Sequence, residues 1–307
     1  MHAARVVAQC KVNLFLRVLA REASGYHQLE TLFCRLALGD DVTVRVGGRT
    51  RSLDVSGSML PLDGLGPVER NLAWRAAIAF STAAGWPSNF AIEIEKRIPV
   101  GGGLGGGSAD AGAVLRTLNA LAPEPLRADE LIRIASTLGS DVAFLTQDTS
   151  TLALAWGRGD QFVTLPELPE RRCDLVVFPF GISTPDAYRW LAEFPPPLPT
   201  SRHLHVDQLA RWSTIDSLMF NDFERVIVPR YGELDRALRC LRQSSGQSPP
   251  RLALMSGSGS TVFTMVDDNT SESSSNAVGA IADKVGHGVQ VIETRTSASV
   301  ESVRAYD

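Results

Sequence analysis

The stretch PVGGGLGGGSADAG, Pro99 to Gly112, lies between two contrasting periodicities. Upstream, Phe90, Ile92 and Ile94 alternate with Ala91, Glu93 and Glu95, the period-2 pattern of a half-buried strand. Downstream, Ala111, Val114, Leu115, Leu118 and Leu121 recur at helical spacing. Ser108 is expected as the N-cap of that helix, with Asp110 in its first turn. Strand, glycine loop and helix N-terminus in that order make an anion site. Glycines let the backbone approach a ligand without Cβ clashes, and the helix dipole favours negative charge. Glycine runs also serve as plain connections, but two spaced triplets leading into Ser108 and an amphipathic helix favour a phosphate cradle. No Gly-Lys-Ser/Thr closes the loop as in a Walker motif. No acidic residue follows the next strand at the distance a dinucleotide fingerprint needs.

On the N-terminal side, residues 4–20 read as extended, with Val6, Val12, Leu14, Leu16 and Val18 at mostly alternate positions. Lys11 and Asn13 share the parity of Phe15 and Arg17, and are either solvated edge residues or the lining of a cleft. Ser24 to His27 is a turn, Leu32 to Val46 a strand-like run interrupted by Gly39-Asp40-Asp41, and Gly47 to Pro67 a hairpin with loops. Asn71 opens a helix.

On the C-terminal side, a helix over about 128–138 ends at Gly139 as C-cap. Asp141 then either caps a short helix or holds a carboxylate at the mouth of the glycine loop. Gly157-Arg158-Gly159-Asp160 is a tight turn between strands; an adhesion role for Arg-Gly-Asp is discounted without a secretion signal. A strand over 175–180 leads through a turn at 181–185 into a helix near Tyr188, and 195–199 is a proline-rich break. A helical segment holds Asn221 to Glu224, and another runs over about 230–243 before a loop at 244–250. Leu252 to Met255 enters a second glycine turn, Ser256 to Ser260, and 261–266 is a strand. A Ser-rich connection at 270–276, a helix over about 276–285 and a strand over about 288–294 complete the pattern. There is no internal repeat, and the irregular alternation favours α+β over a doubly wound sheet.

A chain of 307 residues suffices for about two domains with their own cores. The formal net charge of −4 argues against a nucleic-acid binder. Cys10, Cys34, Cys173 and Cys240 form no CxxC pair, so neither zinc nor a disulfide framework is indicated, and a reducing cytosol is the simple inference. Lys11, Asn13 and Arg17 interrupt the N-terminal apolar run, so no signal peptide is expected; no run of 18 apolar residues suggests a membrane span.

Together these segments resemble the GHMP superfamily of galactokinase, homoserine kinase, mevalonate kinase and phosphomevalonate kinase. The resemblance rests on KVNLFL at 11–16, SGYHQLETLF at 24–33, RNL at 70–72, IPVGGGLGGGSADA at 98–111, LGSDVAF at 138–144, GRGD at 157–160, NDFE at 221–224 and SGSGSTVF at 256–263. These motifs span almost the whole chain in the superfamily's order. GYH, the double glycine triplet and GSDV are specific to the branch acting on a cytidine-diphosphate-linked methylerythritol. Gln9-Cys10, Ala143 and Ser260 depart from its pattern, where Pro-Ala, Pro and Pro are usual; they bear on loop stiffness rather than on the reaction.

The resemblance implies a two-domain α+β fold, residues 1–160 like ribosomal protein S5 domain 2 and residues 161–307 ferredoxin-like, with the active site in the cleft between them. It implies ATP-dependent phosphorylation of the 2-hydroxyl of 4-diphosphocytidyl-2-C-methyl-D-erythritol on the non-mevalonate isoprenoid route, with Asp141 as base and Lys11 as the cation beside it. Pro99, Val100, Gly101, Gly102, Gly103, Leu104, Gly105, Gly106, Gly107, Ser108 and Ala109 would hold ATP, with Asn71 and Lys96 towards the nucleoside. Asn13, Tyr26, His27, Thr184 and Tyr188 would bind the substrate, with Tyr26 and Tyr188 on the two faces of the cytosine. Mg²⁺ is expected with ATP, with no dedicated metal cage. The expected setting is cytoplasmic, as monomer or homodimer, without nucleic acid or membrane. A sister kinase for another small alcohol such as homoserine or mevalonate, or a non-catalytic nucleotide-binding module, stays open at this point.

Overall fold

Two twenty-residue strands organise the computed structural model, which describes residues 2–23, 25–194, 206–243, 252–266 and 287–306. In chain order these are β1 (His2–Arg21) and β2 (His27–Val46), then β3 (Ser52–Ser56), α1 (Leu72–Ala84), β4 (Phe90–Glu95), α2 (Gly106–Leu121), α3 (Ala128–Leu138) and α4 (Ser140–Thr146). There follow β5 (Leu152–Gly157), β6 (Gln161–Thr164), β7 (Arg172–Val177), α5 (Thr184–Leu191), α6 (Trp212–Leu218), β8 (Phe220–Asn221), α7 (Glu224–Ile227) and α8 (Gly232–Gln243). The remaining strands are β9 (Leu252–Met255), β10 (Val262–Val266), β11 (Gln290–Arg295) and β12 (Arg304–Tyr306).

The first sheet has the order β12-β1-β2-β4-β3; the near-hairpin half of β2 pairs with β5, which carries β6, and β8 lies parallel to β1. The second sheet is antiparallel, β11-β7-β10-β9. Lys11 and Asn13 are both buried, which removes their reading as solvated edge residues. Gly39 does not interrupt β2. The strand continues through a register shift between Gln9 and Lys11, where a Cβ on Gly39 would lie 2.5 Å from the Val7 side chain.

Three local expectations are corrected. β3 runs parallel to β4, so residues 47–67 do not form a hairpin; the connection crosses over through α1, whose N-cap Asn71 accepts from Ala73 N at 2.9 Å. Residues 221–224 are not one helical segment, since Asn221 ends β8 and Glu224 begins α7. The strand expected over 175–180 ends at Val177. The expectations for 195–199, 244–250, 270–276 and the helix at 276–285 lie outside the described residues.

α2 packs on β1 and β2 and between α1 and α4, so every residue from Ala109 to Leu118 is buried, a wider apolar band than its periodicity predicts. A Cβ on Gly112 would stand 2.7 Å from the Leu145 carbonyl oxygen. That close crossing brings α4, and with it Asp141, up to the glycine loop. A second core joins Leu16 and Val18 of β1 to Val176, Ala187, Phe223, Leu234 and Met255. β1 thus contributes to both cores and carries Lys11, while α4 brings Asp141 to it.

Candidate active site

The glycine loop is fixed at both ends by buried charge. Lys96, just after β4, donates to Asp110 in α2 at 2.7 Å and also to Asp40 of β2. Asp40 in turn accepts from the backbone N–H of Arg97 and Ile98, the last residues before the loop. All three charged side chains are at most 5% exposed. Burial pushes the Asp110 carboxyl up to about 7, although Lys96 opposes this. Burial lowers the pKa of Lys96, but Asp110 and Asp40 outweigh it and the net shift is upward.

Between those anchors the backbone needs glycine. Gly103 has φ +79°, and a Cβ there would lie 2.1 Å from the carbonyl oxygen of Ser256 in the second glycine turn. The two turns are laced together: Thr261 N donates to Gly102 O at 3.1 Å, and Ser256 Oγ donates to Gly103 O at 3.0 Å. Asn221 holds the second turn by donating to the carbonyls of Met255 and Gly257, each at 2.7 Å. Gly105, not Ser108, is the N-cap of α2, and it offers no side-chain cap. Ser108 therefore lies inside the first turn and Asp110 beyond it. The first N–H groups of α2 have no intrahelical acceptor and open onto a cavity of about 360 Å³. Pro99 to Ser108 line that cavity, with Asn71 and Lys96; Ala109 is buried just behind.

A second cavity, of about 1080 Å³, shares Gly103, Gly105, Ser108, Thr184 and Ser258 with the first. Lys11 lies on its wall. Its ammonium donates to Asn13 Oδ1 at 2.8 Å and Gly103 O at 3.1 Å, and Asp141 Oδ2 is 3.2 Å away. Three acceptors for three N–H bonds hold Lys11 in one place. Asn13 is oriented from behind: its Nδ2 donates to Thr31 Oγ1 at 2.8 Å, and that hydroxyl donates to Phe15 O at 2.7 Å. Thr31 can only accept from Asn13, so the Asn13 oxygen must face Lys11. Asp141, in the first turn of α4, keeps a third of its side chain exposed to the cavity. Gly139, two residues before it, is the C-cap of α3 as expected, in extended rather than left-handed backbone.

The larger cavity is also lined by Tyr26, His27, Thr184 and Tyr188. Tyr188 is pushed up to about 12 by burial and by the Asp141 charge. His27 is shifted down by burial and by Arg21. The ring lying flat on Tyr188 is His27, at 4.3 Å and 13°, rather than Tyr26, and Phe223 meets Tyr188 edge-on. Thr184 and Ser258 share a 2.8 Å hydrogen bond across the seam of the cavities. Sequence reasoning missed Thr31, Asp40, Asn221 and Ser256. Only their presence inside the quoted motifs hinted at Thr31, Asn221 and Ser256.

Comparison with known proteins follows the same outline. The GHMP kinases N terminal domain family matches residues 71–148, and the GHMP kinases C terminal family matches residues 206–285. The 4-diphosphocytidyl-2-C-methyl-D-erythritol kinase of Deinococcus radiodurans is 36% identical over 262 residues, 85% of this chain and 83% of that protein. The protein of the same name from Desulfotalea psychrophila is 37% identical over 278 residues, 88% of each chain. Among solved structures, a 4-(cytidine 5'-diphospho)-2C-methyl-D-erythritol kinase superimposes with a TM-score of 0.69 at 30% identity, covering 95% of this chain and 99% of that one. A homoserine kinase from Cytophaga hutchinsonii shares the fold at a TM-score of 0.64 and 16% identity, over 99% of this chain and 97% of that one.

Proposed function

The chain belongs to the 4-diphosphocytidyl-2-C-methyl-D-erythritol kinases within the GHMP kinase family, and on that premise we propose how its residues transfer the γ-phosphoryl group of ATP to the substrate's 2-hydroxyl. The observation that carries the reading is the Lys11–Asp141 pair at 3.2 Å, beside the seam where the two cavities meet. The smaller cavity takes the nucleotide. Its phosphates lie against the N–H groups of Gly101 to Gly107 and the start of α2, where positive dipole and absent Cβ atoms favour them. Asn71, which lines only that cavity, faces the nucleoside, while Lys96 shapes the same wall through its buried bonds to Asp110 and Asp40.

The larger cavity takes the alcohol. Asp141 accepts the hydroxyl proton, the oxygen attacks the γ-phosphorus, and the bond to the β,γ-bridging oxygen breaks to release ADP. Lys11, 3.2 Å from Asp141, stabilises the negative oxygen as it forms. Mg²⁺ bound with ATP would supply charge neutralisation for the phosphates. Ser108, which lines both cavities, would offer such a hard cation a hydroxyl oxygen beside the phosphates. Tyr188 supplies a stacking face for the cytosine and Tyr26 the other, with His27, Asn13 and Thr184 as hydrogen-bonding partners. Because His27 lies flat on Tyr188, the base can take that face only where the imidazole vacates it. We assign the nucleotide-binding half to residues 1–160 and the other half to 161–307, with β6, β8 and β12 of the latter joining the first sheet.

The test is purified protein with ATP, Mg²⁺ and the cytidine substrate, followed by phosphorus NMR. The expected result is one new phosphomonoester per ADP formed. Absence of turnover with this alcohol, alongside turnover with homoserine or mevalonate, overturns the substrate assignment.

A further inference from the structure

The Gly157-Arg158-Gly159-Asp160 turn between β5 and β6 lines the larger cavity, yet no step above uses it. The Arg158 guanidinium lies over the Tyr26 ring, 4.0 Å from its centroid, and pairs with Glu22 at 2.6 Å. Glu22 is tied to the same residue through the backbone, its N–H donating to Tyr26 O at 2.7 Å. Tyr26 stands at the tip of the β1–β2 hairpin and is 59% exposed. A ring so placed would sample several rotamers if nothing covered it, and ordering it on binding would weaken affinity.

The turn itself is held firmly. Gly159 has φ +87°, its N–H donates to Trp156 O at 3.0 Å, and a Cβ there would stand 3.2 Å from the Ser140 side chain. The Arg158 carbonyl accepts from the Ser140 hydroxyl, and Ser140 is the residue before Asp141. One turn therefore touches both the first residue of the helix carrying the base and the ring at the substrate end.

We propose that Arg158 is a positioning residue for substrate recognition: its planar guanidinium covers one face of Tyr26 and presents the other face to the substrate's base, at a span from Asp141 set through Ser140. The inference rests on the assignment of Tyr26 to the cytosine. A cation on one ring face is favourable in itself, and a planar group packs flat where an ammonium cannot.

A double-mutant cycle tests it, with steady-state kinetics on Tyr26→Ala, Arg158→Ala, the double variant and Arg158→Lys. Tyr26→Ala is expected to raise KM for the cytidine substrate about tenfold or more. Arg158→Ala should raise that KM roughly three- to tenfold, leaving kcat and the KM for ATP in place, with Arg158→Lys in between. The double variant should be no worse than Tyr26→Ala alone, because Arg158 acts through the ring. Additive effects would show that Arg158 touches the substrate itself, and a loss confined to kcat or thermal stability would make it structural; either overturns the inference. If Tyr26→Ala acts but Arg158→Ala does not, this inference alone fails. If Tyr26→Ala leaves KM unchanged, the cytosine assignment fails and takes this one with it.

Discussion

Lys11 and Lys96 approach neighbouring glycines of one loop. A Cβ on Gly105 would meet the Lys11 side chain at 3.0 Å, and one on Gly106 would meet Lys96 Nζ at 3.5 Å. Each lysine meets carboxylate, but in opposite surroundings. Asp141 beside Lys11 is 33% exposed at its side chain, whereas Asp40 and Asp110 beside Lys96 are 0% and 5% exposed. A half-open carboxylate can take up and release a proton while the fold stays intact. In the sealed cluster, removing Lys96 would leave two carboxylates buried without their cation. The same residue types therefore do chemistry at one site and hold geometry at the other.

Breaking the sealed site should have the largest effect. Lys96→Met is expected to destabilise the protein by about 3–5 kcal/mol, a Tm loss on the order of 10 °C by calorimetry. An unchanged Tm would erase the distinction between the two lysines. Breaking the open site should cost rate instead. Asp141→Asn should lower kcat by about 10² or more, the scale of a general base, while calorimetric ATP affinity and Tm hold. Near-normal turnover there would return Asp141 to a helix-starting role.

The contrast also explains what the sequence could reveal. The glycine loop was legible because its signal is local: a strand, two triplets and a helix within about thirty residues, each with its own period. Lys11 and Asp141 entered through motifs, and their meeting required the α2–α4 crossing at Gly112. The Lys96 cluster was not legible. Asp40 looked like a strand interruption and Asp110 like a first-turn helix acid, because neither periodicity nor spacing reports a charge pair closed across 56 residues. Ser108 as N-cap failed for a related reason: propensity favours serine there, but the loop's left-handed Gly105 starts the helix three residues earlier. The parallel pairing of β3 was hidden because strand direction depends on the crossover, not on the strand's residues.

Smaller effects sharpen the open site. Tyr188→Ala should lower kcat/KM for the cytidine substrate roughly tenfold to a hundredfold, and Tyr188→Phe hardly at all, since stacking uses the ring. A loss in ATP affinity instead would remove Tyr188 from the substrate end. Thr31→Val should be mildest, a loss of kcat of about tenfold or less, on the scale of one hydrogen bond. It frees the Asn13 amide to turn its NH₂ towards Lys11. Thr31→Ser should restore the rate; a Thr31→Ser enzyme as slow as Thr31→Val would mean that packing, not the hydroxyl relay, matters at this position.

The return of β12 to β1 governs the order in which this chain can be assembled during synthesis. Ala3 pairs with Tyr306, and Gln9 binds Ser297 and Ser299 through its side chain. The outer edge of β1 is thus completed by residues added roughly 300 positions later, about 15–60 s afterwards at ordinary elongation rates. Until then, the nascent chain carries an open strand edge, the kind of surface that recruits neighbouring chains. Closure of this edge of the sheet waits on residues about 300 positions downstream of β1.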